Sequence, residues 1–125
     1  MKSLLAAVAI AATVLAPAAY ADCSYPQAPS HIPDGSTATM AEMLAGQKAV
    51  QSYNEAMTAY LSCIKLERDS RVAAAGDKLT KKQKQELEAI EIQKNNAAVD
   101  QLHAVADQFN AQVKIFKAKD KKSDD

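Results

Sequence analysis

The sequence contains no tryptophan, two phenylalanines, four tyrosines, three glycines and two cysteines among 125 residues. Each scarcity removes a class of protein. So few aromatics and glycines are poor material for a β-sandwich, which needs turn residues and β-formers throughout. Three scattered glycines make no phosphate-cradling loop, and neither a nucleophile elbow nor a C-x-x-C-H haem site occurs. The cysteines, Cys23 and Cys63, stand far outside the C-x-x-C spacing of a redox pair. Charge is also missing in net terms: 15 basic residues balance 15 acidic ones, so no strong field recruits nucleic acid or an anionic membrane. What remains is an alanine-rich composition with 48% hydrophobic residues, good material for long helices and enough for one small all-α domain.

The first residues form a targeting pattern. Met1-Lys2-Ser3 is a short basic start, an apolar run extends from Leu4 to about Ala16, and Pro17 breaks it. Ala19-Tyr20-Ala21 then fits an A-x-A cleavage site. The run is shorter than the ~20 residues that span a bilayer, so 1–21 reads as a signal peptide rather than an anchor. Tyr20-Ala21-Asp22 does not resemble the motif that precedes a lipidated cysteine. The expected mature chain starts at Asp22, in the periplasm or outside the cell, without a stable membrane anchor.

In an oxidising compartment two cysteines read as one disulfide, the alternatives being an intermolecular bridge or a free redox pair. The geometry permits the intramolecular bridge. A helix starting near Met40 places Cys63 about 36 Å along it at ~1.5 Å per residue. The arm from Cys23 to Thr39 covers about 50 Å as polyproline II. Pro26, Pro29 and Pro33 keep that arm, 22–38, extended, and Pro33-Asp34-Gly35 turns it back along the helix.

Two helices are expected, at about 39–75 and 80–117. Thr39-Met40-Ala41-Glu42 is a T-x-x-E capping box. Met43, Val50, Met57 and Ile64 then recur every seventh residue, with Tyr53 and Tyr60 between them and Leu44 and Leu61 beside the seam. Ala73-Ala74-Ala75 runs into Gly76, a natural helix stop. Thr80-Lys81-Lys82-Gln83 is a second capping box. Its neighbours Lys78, Lys81, Lys82 and Lys84 oppose the helix dipole, and Glu67 and Asp69 are expected to offset them. Leu87, Ile90, Ala97, Ala98, Leu102, Val105, Phe109, Val113 and Phe116 share a face. The charged tail 118–125 is expected to fray. A turn near Gly76 sets Phe109 opposite Gly46, Leu102 opposite Tyr53, and Ala98 opposite Met57, large against small. The expected architecture is an antiparallel two-helix hairpin with an extended proline-rich N-terminal arm stapled to the first helix by a disulfide.

Cys23 and Pro26, Ile32-Pro33-Asp34-Gly35, Glu42-Met43, Val50, Tyr53 and Tyr60-Leu61-Ser62-Cys63 form a pattern. In this third of the chain the sequence resembles an uncharacterised family of small exported proteobacterial proteins. The family pattern is Cys-x-x-Pro, Ile-Pro-Asp-Gly and Tyr-Leu-x-Cys. The resemblance implies export and the disulfide, and no activity.

Candidate sites are few. Asp100, His103 and Asp107 share a helical face and offer metal donors, but with no fixed shell they read as a solvated, ion-pairing surface. His31, Met40 and Met43 are soft donors suited to Cu(I), set against packing by flexible methionines. No cofactor and no enzymatic activity are expected, because a hairpin offers no deep pocket in which a carboxylate could be tuned. A two-helix hairpin buries one stripe per helix, which leaves apolar surface for a protein partner or for self-association. The functional expectation is therefore an exported helical interaction module: an envelope adaptor, inhibitor or assembly subunit. A general periplasmic chaperone is the alternative, and periplasmic copper binding a remote one. Tyr25, Ile32, Tyr53 and Tyr60 are the candidate partner contacts.

Overall fold

In the computed structural model, residues 22–123 are described; the signal peptide expected at 1–21 lies outside them. The chain is an extended arm followed by α1 (Met40–Ala75) and α2 (Lys81–Ser123), joined by a single 3₁₀ turn, Gly76–Lys78. No strand occurs among the described residues, and none of their helices is long and apolar enough to cross a membrane.

Local chemistry sets the helix boundaries. Thr39 caps α1 reciprocally: the Glu42 N–H donates to the Thr39 hydroxyl at 3.3 Å, and the Thr39 N–H donates to the Glu42 carboxylate at 2.7 Å. Thr80 and Gln83 repeat the exchange at the start of α2, at 3.2 and 2.8 Å. Two otherwise orphaned N–H groups are satisfied at each start. At the other end of α1, Gly76 takes φ 52°, ψ −127° and donates to the Val72 carbonyl. That backbone region is essentially restricted to glycine.

Helix α2 continues to Ser123, past the end expected at 117, so the tail is helical over 118–123. The segment holds neither proline nor glycine, and Lys121 and Lys122 in its last turn complement the dipole. Lys119 also ties it down. Its ammonium donates to the Ala38 carbonyl at 2.7 Å and sits 4.7 Å from the centre of the Phe116 ring.

The core forms two clusters along the hairpin. Tyr53, Met57, Tyr60, Ile64, Ala98 and Val105 make the first, and Met57 is 0% exposed. Ala38, Met43, Phe109 and Phe116 make the second, nearer the open end. Ile32 of the arm and Val50 of α1 pack against both. Gly46 faces Phe109, and Met57 shares a cluster with Ala98 and Leu102, as the expected register requires. Beyond Ile64, towards the turn, the helix pair buries no apolar side chain among the described residues; Leu66, Ile90 and Ile92 are exposed. There the helices are bridged by Arg68 to Glu91, at 2.5 Å. The acidic end of α1 does not meet the lysines of α2: Glu67 pairs with Arg71 and Asp69 with Arg68, partners much closer on the same helix.

Candidate functional site

The arm is docked at successive points along the groove between the helices. Cys23 is bonded to Cys63, with Cα atoms 5.7 Å apart, so the staple lies about two-thirds of the way along α1. Tyr25 meets Tyr60 edge to face, ring centres 5.1 Å apart. Ile32 bridges the two core clusters, and Pro33 packs over Gly46. A Cβ at Gly46 would stand 2.6 Å from Pro33 Cγ and 3.1 Å from Phe109 Cε2. A mid-helix glycine costs about 1 kcal/mol relative to alanine, and here the close passage of proline and phenylalanine is what requires it.

At Asp34-Gly35 the arm crosses to α2. The Gly35 N–H donates to Gln112 Oε1 at 2.8 Å. Its backbone comes so near that a Cβ would lie 2.0 Å from the Gln112 carbonyl oxygen. Asp34 closes the turn behind it: its carboxylate accepts from the Ser36 hydroxyl at 2.6 Å and the Ser36 N–H at 2.8 Å. The Asp34 carbonyl also accepts from the N–H groups of Thr37 and Ala38. The Ile-Pro-Asp-Gly motif is thus a clasp that holds both helices.

The four candidate partner contacts are placed unevenly. Tyr53 and Tyr60 are buried in the core and Ile32 is half-buried, whereas Tyr25 is 48% exposed. The positions that put tyrosine on the helix seam also spend it on packing inside the chain. The Tyr53 hydroxyl is sealed from solvent and makes no hydrogen bond of acceptable geometry among the described residues. Burial and the neighbouring Tyr25 hydroxyl push the Tyr53 phenol above its ordinary range. Burial, then Tyr25 and Glu67, do the same to Tyr60.

The exposed apolar surface instead gathers at the open end. A groove opens there between Met40, Met43 and Leu44 of α1 and Phe109, Val113 and Phe116 of α2. Met40 is 56% and Leu44 52% exposed, while Met43, Phe109 and Phe116 form its buried floor. Gln47, Asn110, Lys117 and Asp120 make a polar rim. Leu44 beside the seam, four residues after Met40, was the signal for this surface.

Neither metal-donor group is drawn together. Asp100, His103 and Asp107 are all exposed on α2, and no three of His, Cys, Asp and Glu converge among the described residues. Met43 packs against Phe109 and Phe116, while Met40 and His31 face solvent. The remaining displaced titrations have structural causes. Bonds from Ser36 hold Asp34 below the usual carboxylate range, as bonds from Thr39 do for Glu42. The Asp69 carboxylate raises Arg68.

Comparison with protein-family models, curated proteins and solved structures returns no match.

Proposed function

We propose that this protein is an exported, non-enzymatic helical interaction module, working in the periplasm or outside the cell, that captures a protein partner. The observation that carries the reading is the open-end groove. It combines a buried floor of Met43, Phe109 and Phe116 with solvent-facing Met40 and Leu44, the arrangement of a pocket for an apolar side-chain ridge. The rest of the fold supports it. The shifted titrations serve caps, turns, core burial and ion pairs, and none stands in an enclosed cleft beside a second reactive group, as acid–base chemistry would require. The Cys23–Cys63 bridge suits an oxidising compartment, in keeping with the leader-like start and with the resemblance to small exported proteins.

In-cell photo-crosslinking from position 44, read by mass spectrometry, tests the proposal. One dominant envelope protein in the adduct is the expected result. A smear of unrelated exported proteins would replace the module with a general chaperone. No adduct at all, from protein shown to be exported and oxidised, would remove the groove as a contact surface.

A further inference from the structure

Helix α2 meets α1 and the arm along one side, and its outer side carries a charge pattern of period seven. Asp100, Asp107, Lys114 and Lys121 stand at successive seven-residue steps. They therefore fall on one stripe that drifts by only ∼20° per step. All four are exposed, and none joins an ion pair among the described residues. At about 10 Å per step along the axis they are too far apart to pair with one another. Alongside, exposed Ala104, Ala111 and Ala118 repeat at the same interval. Among the described residues no ion pair or hydrogen bond engages the four charged side chains.

We infer that it pairs antiparallel with α2 of a second copy of the chain, about a twofold axis passing between Asn110 and Ala111. In a closed pair with no stagger, the order acidic, acidic, basic, basic is complementary to itself only in that arrangement; a parallel pair staggered by two heptads satisfies half of the charges and does not close. Rotation about the axis sets Asp100 opposite Lys121 of the second copy and Asp107 opposite Lys114 of the second copy, and symmetry doubles both pairs. A parallel arrangement without stagger sets aspartate against aspartate and lysine against lysine, which is repulsive. The alanines fall within one residue of the same register. Ala111 lies beside the axis and Ala104 faces Ala118 of the second copy, so the helices can approach towards the lower end of the 8–10 Å range. A face with short side chains and solvent-screened ion pairs makes a reversible, salt-sensitive dimer rather than an obligate one. This inference rests on the interaction-module reading, names a second copy as one partner, and uses a surface separate from the groove at Leu44.

Sedimentation equilibrium of the purified, disulfide-bonded protein over a concentration series, at about 0.05 M and about 0.5 M salt, tests it. The wild type is expected to dimerise, more weakly at the higher salt. The all-acidic variant Lys114→Asp/Lys121→Asp and the all-basic variant Asp100→Lys/Asp107→Lys are each expected to bind themselves at least tenfold more weakly. Their helical circular dichroism should change by no more than fraying of the last turn of α2, where Lys121 complements the dipole, because all four sites are exposed. Mixed in equal amounts, the two variants should form a heterodimer. A wild type that stays monomeric throughout, a variant that self-associates like the wild type, or a mixture that fails to associate would each overturn the pairing. A monomeric wild type that still crosslinks to one envelope protein from position 44 would sink this inference alone and leave the interaction module standing.

Discussion

Gly35→Ala probes the clasp between arm and α2, because two effects of opposite sign compete there. Gly35 does not have a positive φ, so its backbone conformation is open to alanine. On that ground alone the substitution should stabilise the protein by about 0.4–1 kcal/mol, through lost freedom of the unfolded chain. Contact opposes it. The new Cβ would lie 2.0 Å from the Gln112 carbonyl oxygen and 2.8 Å from the Phe116 nitrogen, both rigid helix backbone. Restoring an ordinary contact of about 3.5 Å moves the arm about 1.5 Å away from α2. That retreat breaks the 2.8 Å bond from the Gly35 N–H to Gln112. Its loss costs about 0.5–1.5 kcal/mol, and the overpacking itself about 1–3 kcal/mol. Contact wins, and the expected net destabilisation is about 0.5–4 kcal/mol.

Chemical denaturation followed by helical circular dichroism measures this directly, and Gln112→Ala completes a double-mutant cycle. In the wild type the loss of the Gln112 amide should cost about 1 kcal/mol. In the Gly35→Ala background, where the bond is already broken, it should cost little, so the two changes should be strongly non-additive. Alanine at 35 that leaves stability unchanged or raises it would refute the close approach of arm and helix.

Removing the disulfide by Cys23→Ser/Cys63→Ser should lower stability by about 4 kcal/mol, since the bridge closes a 40-residue loop in the unfolded chain. An equilibrium melt showing a loss below about 1 kcal/mol would contradict this. Asp34 and Glu42 are held below the usual carboxylate range, so the folded state binds their protons more weakly than the unfolded chain does. The stability they add is present above the unfolded carboxylate range near pH 4 and is lost as pH falls through it towards their folded values. Thermal melts of Glu42→Gln across that window should show a flatter acid limb than the wild type. Lys119→Met should cost about 0.5–1.5 kcal/mol and speed amide exchange over the last turns of α2, because the ammonium holds the Ala38 carbonyl and the Phe116 ring. Gly76→Ala meets no atom within 4 Å, so its cost of about 1–3 kcal/mol should come from the positive φ alone and leave the arm's exchange rates unchanged.

The parts of the fold legible in the sequence are those governed by near neighbours or by one period. Both capping boxes span four residues, and both form. The seven-residue recurrence from Met43 to Ile64 names the buried seam, and a short turn at Gly76 then sets the register that puts Phe109 over Gly46. The disulfide followed from compartment and reach. Contacts across long separations without a period were not legible: Gly35 and Gln112 are 77 residues apart, and neither residue type announces the other. The tail misled because lysine reads as solvated, whereas its long stem lets the Lys119 ammonium reach back to the arm. Two of the four candidate contacts are buried, and for a physical reason. Tyr53 and Tyr60 stood out by falling on the seam, and seam positions are those the chain consumes itself, so the exposed apolar surface begins with residues such as Leu44 beside it.

The arm also accounts for how far the core extends. Buried apolar positions run from Met43 to Ile64 on α1 and from Ala98 to Phe116 on α2, and the arm covers that same stretch between its staple at Cys63 and the cap at Thr39. Two helices alone share a single seam; an extended segment laid into the groove supplies the third wall, and its prolines reduce the entropy lost on ordering it. Where the arm ends, burial ends. Past Cys63 the helix pair leaves Leu66, Ile90 and Ile92 in solvent and is bridged at Arg68–Glu91. The disulfide therefore sits at the edge of the packed region, where fraying would begin, and a bond there closes the arm over the whole length of the core. Because arm and α1 together occupy one side of α2, its outer side stays in solvent, and Asp100, Asp107, Lys114 and Lys121 there join no ion pair among the described residues.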